Sequence, residues 1–476
     1  MICLDFSSNS VIITFVKGGG YVSKKQNVDV LNGNLIKSII SFGIPLLFVS
    51  LIQNLFNAVD IMVLGQMATT SAVAAVGATG SIVHLLTNLA LGISVGTKIV
   101  ISRLLGENVK EKTEQAVFTS IVTAIGVGLF TAIAGIAISP AFLRLTNCPP
   151  EIFSDALLYL RLYFASAPAI MLYNFGSSVI QASGDSKRPL YYMIVSGLLN
   201  VVLNFILCLI FPQKVAAVAI ATAISQAIGA ILVLRRISTM ENDCRLNYKV
   251  KNWSTPIFKK LLSNGLPIGF TSSLYSLANL QIQSSLNLFG ANAIAGSAAG
   301  SNIESIEASI ASSPWAATVS VFVGQNVGAD NKKRVKHSIL MCATIAISLA
   351  IFLSTLIYTF NSSLLSLFVD SSEAVKYGMI RAQYLLLPYA IACANSILSN
   401  SLQAFGYSLL TTVNSTVNVL IFRFIWMTWI YPLCPTFAVL MQCFLVSWIL
   451  VISFNLIFFV YVYHRKFKAG KLKKMG

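Results

Sequence analysis

The sequence predicts an all-α integral membrane protein. Twelve transmembrane helices are expected to form two six-helix bundles, related by a pseudo-two-fold axis along the membrane normal. The first observation behind this prediction is the composition: 56% of the 476 residues are hydrophobic and 10% are charged, against about 25% charged in soluble domains. The second is a series of charge-free stretches that reach the roughly 20 apolar residues of a spanning helix. The third is an internal repeat of constant spacing.

The composition also excludes other classes of protein. The formal net charge is +17, but a nucleic-acid-binding domain would not combine this charge with a mean hydropathy of +0.77. The spans leave little chain for a soluble catalytic domain, so we expect neither an enzyme nor a nucleic-acid partner. The eight cysteines and three histidines are scattered without C-x-x-C spacing, so the sequence predicts no zinc site and no disulfide framework.

Apolar runs between glycine, proline and charged residues give the twelve helices in order, with ends uncertain by about 2–4 residues. In the first half these helices cover residues 38–64, 71–97, 117–140, 156–181, 190–211 and 214–234. In the second half they cover residues 261–288, 293–323, 337–360, 376–404, 410–431 and 436–463. Each half therefore contains six helices.

Three motifs of the first half recur in the second half at one constant offset in residue number. The pairs are Gly43-Ile44-Pro45 with Gly265-Leu266-Pro267, Gly106 with Gly328, and Gln181-Ala182-Ser183-Gly184 with Gln403-Ala404-Phe405-Gly406. We call this shared offset, which relates position 43 to position 265, the repeat offset. Its constancy across three loops means that the two halves share their helix and loop lengths. Because six is an even number, both halves enter the membrane in the same direction, which predicts an axis along the membrane normal.

Lysine and arginine concentrate on one side of the predicted membrane, which we assign to the cytoplasm. The external segments hold mainly Arg144, Lys214 and Lys376. The cytoplasmic segments include Lys24, Lys25, Lys110, Lys112, Lys187, Arg188, Arg235, Arg236, Lys259, Lys260 and Lys332 to Arg334. We therefore expect a multi-pass protein of the plasma membrane with both termini in the cytoplasm. Such charge ordinarily fixes topology and contacts anionic lipids.

These assignments divide the chain into five segments. Residues 36–235 form the N-lobe with helices 1–6, and residues 261–463 form the C-lobe with helices 7–12. Between them, residues 236–260 are predicted to form a basic cytoplasmic linker. We expect residues 1–35 to be a cytoplasmic leader and residues 464–476 to be a basic cytoplasmic tail.

The motifs of both halves, in their order along the chain, resemble those of one transporter family. In the first half they are Gly43-Ile44-Pro45, Val59-Asp60, Leu64-Gly65, Gly77, Ser102 to Gly106, Gln181 to Pro189, and Asn200-x-x-x-Asn204. In the second half they are Gly265-Leu266-Pro267, Ser301 to Glu304, Phe322 to Ala329, and Gln403 to Gly406. Over roughly residues 30–463 the chain is similar to the multidrug and toxic compound extrusion (MATE) family of cation-coupled antiporters.

This resemblance implies an ion site in the N-lobe. In similar MATE proteins the positions of Asp60, Asn200, Asn204 and Thr222 form the cation and proton site. Many members carry an aspartate at the position of Asn204, so this chain has one charge fewer there, and the coupling ion stays open between H⁺ and Na⁺. If the ion is Na⁺, Asp60 is the expected metal ligand. No other cofactor is implied.

The chemistry of these residues agrees with an ion site. An ionised carboxylate at a helix centre costs about 2.5–3.5 kcal/mol, so Asp60 should face a cavity, a cation or a hydrogen-bonding partner unless it lies at the outer interface. Asn200 and Asn204 are four residues apart and share one helix face. Their amides can bind an acid or a cation, or they can simply join two helices.

A second set of candidates lies in the C-lobe. Glu304 and Glu307 are three residues apart and project from one face of the eighth helix, where they could bind a cationic substrate. Alternatively they could have a structural role, hydrogen-bonded to Asn279, Gln281 or Gln283 of the preceding helix. Arg423 is a candidate partner for one of these acids or a fixed structural residue. The rings of Tyr275 and Trp315 could line a cavity for flat cations or face lipid.

The sequence thus predicts a secondary antiporter that exports organic, chiefly cationic, compounds as H⁺ or Na⁺ runs inward. The substrate cavity is expected to involve Glu304, Glu307, Tyr275, Trp315 and Arg423. We expect a monomer that has small organic cations and the lipid bilayer as its partners. The alternative is a lipid-linked oligosaccharide flippase of the same superfamily, but such a protein should line its cavity with several cations, whereas this chain shows acids apart from Arg423.

Overall fold

The computed structural model describes residues 4–5, 12–13, 28–67, 70–146, 148–247 and 252–468. A few side chains within these ranges, among them that of Asp60, lie outside the description. Two short antiparallel strands, β1 (Leu4–Asp5) and β2 (Ile12–Ile13), precede the helices. The predicted leader and the predicted basic tail fall largely outside the described residues.

The N-lobe contains six helical segments, α1 to α6. They are α1 (Leu35–Met67), α2 (Thr70–Gly106), α3 (Lys110–Leu145), α4 in two parts (Pro150–Ala165 and Ala167–Ala182), α5 (Lys187–Ile210) and α6 (Lys214–Ser238). Most of these helices extend beyond the predicted apolar runs, because their ends carry charged turns that continue the helix outside the apolar stretch.

The C-lobe contains the remaining six segments, α7 to α12. They are α7 (Thr255–Leu286, followed by a 3₁₀ turn at Asn287–Phe289), α8 (Ala291–Ala311 and Ser313–Gly328), α9 (Lys332–Thr359, followed by a short helix at Asn361–Leu365), α10 (Ser372–Leu385 and Tyr389–Ala404), α11 (Ser408–Leu433) and α12 (Phe437–Lys468). Within α11, residues Thr416–Ile421 and Trp426–Ile430 are π-helical. The helix α7 begins inside the segment predicted as a linker.

The twelve predicted helices are confirmed. Nine helices of the described chain are long and apolar enough to cross a membrane, and two bent pairs raise that number to eleven. The twelfth is α7, whose 32 residues span about 48 Å at 1.5 Å per residue. Serine, threonine, asparagine and glutamine make α7 more polar than the others. It packs along α2 between the lobes, where its polar residues Asn264 and Ser273 are buried.

Three helices that were predicted as continuous are broken, each beside a proline. The two parts of α4 meet at 43° and those of α10 at 46°, just before Pro168 and beside Pro388. The break in α8 lies at Ser312, before Pro314. Proline lacks the N–H that would bond four residues back, and its ring clashes with that carbonyl. The length of each apolar run was predicted correctly, but the bend was not.

The repeat extends to single backbone conformations. Gly184 and Gly406, which are related by the repeat offset, have φ angles of +89° and +88°. Asn108 and Asp330 are related by the same offset and have φ angles of +55° and +52°. Side chains other than glycine rarely adopt this region, so its recurrence at matching turns shows that the halves share one backbone plan.

The lobes meet along α2 and α7, where both helices carry glycines. A Cβ added to Gly92 would overlap the backbone of Gly269, and one added to Gly96 would lie 2.6 Å from the carbonyl oxygen of Leu261. Small residues let membrane helices approach this closely. The contact continues to mid-depth, where the Ser273 hydroxyl donates to the Leu85 carbonyl over 3.3 Å.

We call the end of the molecule that holds residues 106–110 and 328–332 the closed end. Here the Gln325 side chain of the C-lobe donates to the Ala182 carbonyl of the N-lobe over 2.7 Å. Arg334 donates to the carbonyl oxygens of Val30 and Gly33 over 2.8 and 2.6 Å. Toward the opposite end, by contrast, a Cβ added to Gly77 would meet no atom within 4 Å. The lobes are therefore joined at one end and at mid-depth.

Candidate coupling and substrate sites

Asn200, Asn204 and Thr222 come together inside the N-lobe. The Asn204 amide donates to the Asn200 carbonyl oxygen over 3.3 Å, and the Asn200 amide donates to the Thr222 hydroxyl over 3.4 Å. Asn200 is 7% exposed and Asn204 is fully buried. The helices α5 and α6 thus place three neutral polar side chains in one chain of hydrogen bonds, as expected from the four-residue spacing. Their part in ion binding stays a prediction.

Asp60 lies on α1, and its side chain is outside the described set. Its depth follows from the packing of α1 on α5, which run in the same direction. A Cβ added to Gly197 would overlap the Phe56 ring, so these two positions are in direct contact. One helical turn beyond this contact, α1 carries Asp60 and α5 carries Asn200, and Asn204 lies one further turn along α5. The backbone of Asp60 is therefore level with Asn200 and about one turn from Asn204.

In the C-lobe, Glu304 forms an ion pair that the sequence did not predict. The guanidinium of Arg381 on α10 donates to both carboxylate oxygens of Glu304 over 2.8 Å. It also donates to the Ser297 hydroxyl over 2.9 Å. Two parallel bonds between these groups are a strong and directional pairing. The negative charge of Glu304 is thus neutralised within the lobe.

Glu307 is buried more deeply than Glu304. Its side chain is 0% exposed, and the Ser354 hydroxyl of α9 donates to Oε1 over 2.5 Å. The other carboxylate oxygen, Oε2, has no hydrogen-bond partner among the described residues. A carboxylate with a single bond in an apolar setting is costly. Although Glu304 and Glu307 are three residues apart, they therefore bind different partners, Arg381 and Ser354 respectively.

Arg423 pairs with neither acid, and its contacts fit the other alternative, a fixed structural residue. It is 1% exposed and donates to the Asn279 side chain over 2.9 Å. It also donates to the Ser447 hydroxyl over 3.2–3.3 Å. Its guanidinium lies 4.3 Å from the centre of the Phe444 ring, and that of Arg381 lies 5.8 Å from the same centre. Asn279, proposed as a partner of the acids, binds Arg423 instead.

Trp315 does not line a cavity in this structure. It is 3% exposed and lies in the core that joins α1 to α8. Its indole N–H donates to the Ile310 carbonyl over 3.0 Å, which is the carbonyl that Pro314 leaves without a backbone donor. Tyr275 is half-buried and packs beside Val419 and Val451. Neither ring is placed beside the acid pair.

No group of three or more potential metal ligands is found among the described residues. The polar groups that could hold a cation in the N-lobe are amide and hydroxyl oxygens, which are ligands of hard cations. The described side chains of this site do not include the thiolate and imidazole ligands that suit transition metals.

Comparison with known proteins identifies the family. The MatE family model matches residues 45–206 and 267–428, two blocks that are again related by the repeat offset. The chain belongs to the MatE family. It is 25% identical over 402 residues to the probable multidrug resistance protein YpnP of Bacillus subtilis (strain 168), covering 83% of this chain and 88% of that protein. It is 27% identical over 386 residues to the probable multidrug resistance protein YoeA of the same strain, covering 80% and 83%.

Solved structures share the fold. A mutant of the Vibrio cholerae MATE transporter VcmN superposes with a TM-score of 0.83 at 20% identity, covering 92% of this chain and 98% of that one. As a MatE member, the protein is a multi-pass membrane protein of a transporter family that handles small organic compounds. At this level of identity the comparison supports the fold and not the roles of single residues.

Sequence reasoning about this MatE chain missed a buried amide network in the C-lobe. The Asn418 amide donates to Asn414 over 2.6 Å, and the Asn414 amide donates to Asn455 over 2.9 Å. Asn455 in turn donates to Asn395 over 2.7 Å. Asn414 and Asn418 have the same four-residue spacing as Asn200 and Asn204, which was the signal available in the sequence. Arg381 had no such signal, because its partner lies 77 residues away on another helix.

Proposed function

We propose that this protein is a secondary active antiporter that exports organic compounds, chiefly cations, in exchange for H⁺ or Na⁺. The observation that carries the proposal is the buried Asn200–Asn204–Thr222 chain at the depth of Asp60. An acid level with three neutral oxygen-bearing side chains, inside one lobe, is a place where a single cation or proton can bind and leave. Inward movement of one charge supplies about 2.3 kcal/mol per 100 mV.

The closed end supports a transport cycle with two lobes. The lobes contact each other at one end and at mid-depth, and a substrate between them would leave through the other end. Binding of the ion at Asp60 would disfavour bound substrate, and the two would exchange as the contacts of the closed end break and re-form. Each chain contains both lobes, so we propose the monomer as the transporting unit.

The cationic preference is assigned mainly to Asp60. The charge of Glu304 is offset by Arg381, and Glu307 is fully buried, so neither acid offers an open negative charge in this conformation. The relatives named as multidrug resistance proteins support export of organic compounds. The lipid-linked oligosaccharide flippase has no support from them. We propose no cofactor besides the coupling ion.

The test is efflux of a fluorescent cation from vesicles under separately imposed Na⁺ and H⁺ gradients. Asp60→Asn should insert normally, because it removes a charge from the apolar phase, and it should lose gradient-driven efflux. Asp155→Asn makes the same chemical change near the start of α4 and should leave efflux unchanged. Wild-type efflux by Asp60→Asn at matched expression would move the ion site elsewhere, with Glu304 as the next candidate.

We also propose that the closed end and both termini lie in the cytoplasm, and that the membrane is the plasma membrane. With Cys3, Cys148 and Cys434 replaced by serine, an impermeant maleimide applied to intact cells should fail to label Asn242→Cys and Ala329→Cys. As the positive control, the protein that retains native Cys434, an exposed residue near the opposite end, should be labelled from outside. Burial raises the pKa of the Cys244 thiol to about 12, so this cysteine adds little background near neutral pH. Labelling of either introduced cysteine from outside would reverse the orientation.

A further inference from the structure

A cleft of about 260 Å³ lies where α2 and α3 of the N-lobe meet the start of α7 in the C-lobe. Part of its wall is apolar and consists of Val100, Leu104, Pro256 and Ile257. The other part is polar and consists of Lys112, Gln115, Ser254 and Lys260. The cleft thus combines two ammonium groups with an apolar floor, and both lobes contribute to each kind of wall.

The charges around this cleft do not cancel. The described residues that line the cleft include Lys112 and Lys260 and no acidic residue, so the lining carries a net charge of +2. Arg103 and Glu107, at the neighbouring end of α2, form an ion pair with each other at 3.5 Å and offset each other. Bringing two ammonium groups into one cleft is unfavourable in itself, and an anion bound between them would relieve that repulsion.

The surroundings of the cleft are those expected at the depth of lipid head groups. It opens at the closed end, beside the first turns of α3 and α7. Trp253, directly before α7, is 38% exposed, and its ring packs on Phe258 at 5.3 Å. Its indole N–H donates to the Thr255 hydroxyl over 3.2 Å. A tryptophan with one apolar face and one polar edge is typical of the membrane interface.

We propose that this cleft binds the head group of an anionic phospholipid. The phosphate lies between Lys112 and Lys260, within reach of Gln115 and Ser254, and the glycerol and first acyl carbons lie on Leu104 and Ile257. Basic pockets between transmembrane helices on the cytoplasmic side are suited to such head groups. One lipid would contact both lobes and therefore stabilise the closed end. The inference does not depend on which substrate or ion the protein transports.

The experiment compares lipid binding by the full-length protein and by two double variants. Purified protein is placed in phosphatidylcholine nanodiscs with and without phosphatidylglycerol, and the thermal unfolding midpoint and the apparent Kd for phosphatidylglycerol are measured. The wild type should unfold at a higher temperature with phosphatidylglycerol. Lys112→Gln/Lys260→Gln should lose most of that increase and bind the lipid about tenfold more weakly or worse. Lys333→Gln/Lys336→Gln removes the same charge from exposed positions of α9 and should behave like the wild type.

Three outcomes would overturn the proposal. If both double variants lose the phosphatidylglycerol effect equally, the lipid responds to the diffuse charge of this face and not to the cleft. If inorganic phosphate or glycerol phosphate, added at matched ionic strength to phosphatidylcholine discs, reproduces the shift, the ligand is a free phosphate and not a membrane lipid. A wild-type midpoint that does not change with phosphatidylglycerol would show that the cleft does not bind this lipid.

Discussion

The three polar residues of the candidate ion site in the N-lobe correspond, at the repeat offset, to aromatic residues in the C-lobe. Asn200, Asn204 and Thr222 align with Phe422, Trp426 and Phe444, respectively. In the N-lobe the three side chains form a chain of hydrogen bonds. In the C-lobe the rings of Phe422 and Trp426 lie 5.8 Å apart, and the Phe444 ring receives the Arg423 guanidinium.

The reverse comparison gives the same result. Four charged residues of the C-lobe sites align with uncharged residues of the N-lobe. Glu304, Glu307, Arg381 and Arg423 correspond to Ile82, Leu85, Tyr159 and Val201, respectively. Ile82 is buried among apolar neighbours. The charged groups of the C-lobe therefore have no counterpart at the matching N-lobe positions, and the C-lobe combines them with a separate amide network. The repeat determines helix lengths and turns, and each lobe completes its polar site from its own helices.

The largest effect is expected from breaking the charged site of the C-lobe. Arg381→Leu leaves the Glu304 carboxylate without its two bonds inside the lobe, and loss of one partner of a mostly buried pair costs about 3–5 kcal/mol. The unfolding midpoint in detergent should fall by several degrees. Arg381→Leu/Glu304→Leu should recover much of this loss, because it removes both charges. A double variant no more stable than Arg381→Leu would show that the pair is not the source of the effect.

A smaller but clear effect is expected where α2 of the N-lobe packs on α7 of the C-lobe, because both helices carry glycines at this contact. Gly92→Ala places a methyl group against the Gly269 backbone, so α2 and α7 must move apart, at a cost of about 1–3 kcal/mol. Gly77→Ala is the control, since its added methyl group meets nothing within 4 Å. Midpoints and protease sensitivity should change only for Gly92→Ala. Equal changes would mean that the lobes are not in contact at Gly92.

The neutral site of the N-lobe should contribute less to stability than the charged pair. Asn204→Ala removes the side-chain donor to Asn200 on the same helix, and a typical intramolecular hydrogen bond contributes about 0.5–1.5 kcal/mol. The comparison is sharpened by Asn418→Ala, which removes the donor to Asn414 at the same spacing in the C-lobe. Both should lower the midpoint slightly. Only Asn204→Ala should alter the dependence of efflux on the driving ion.

The smallest effect is expected for Glu307→Gln. Its amide oxygen can accept the Ser354 bond that Oε1 accepts now, and no partner is lost at Oε2, which has none among the described residues. The free energy of unfolding should change by less than about 1 kcal/mol. Ser354→Ala tests the same contact from the other side and should be more costly, because it leaves the carboxyl group without its hydrogen bond. A large loss for Glu307→Gln would show that the carboxyl group serves as a charge.

Much of the fold was determined by the sequence alone, because membrane helices are local. A run of apolar residues must satisfy its own backbone hydrogen bonds in lipid, so its length and its end signals predict a helix without knowledge of neighbours. The constant repeat offset predicted the shared plan, which the matching turns at Gly184 and Gly406 confirm. The four-residue spacing likewise brought Asn200 and Asn204 onto one face.

Only the tertiary structure decided which polar groups meet between helices. The pairing of Glu304 with Arg381, and the absence of a pair with Arg423, depends on how α8, α10 and α11 rotate about their axes. That rotation follows from side-chain packing between helices that are distant in sequence. The bends beside Pro168 and Pro388 were decided in the same way, because a proline limits the backbone locally while the neighbouring helices select the angle.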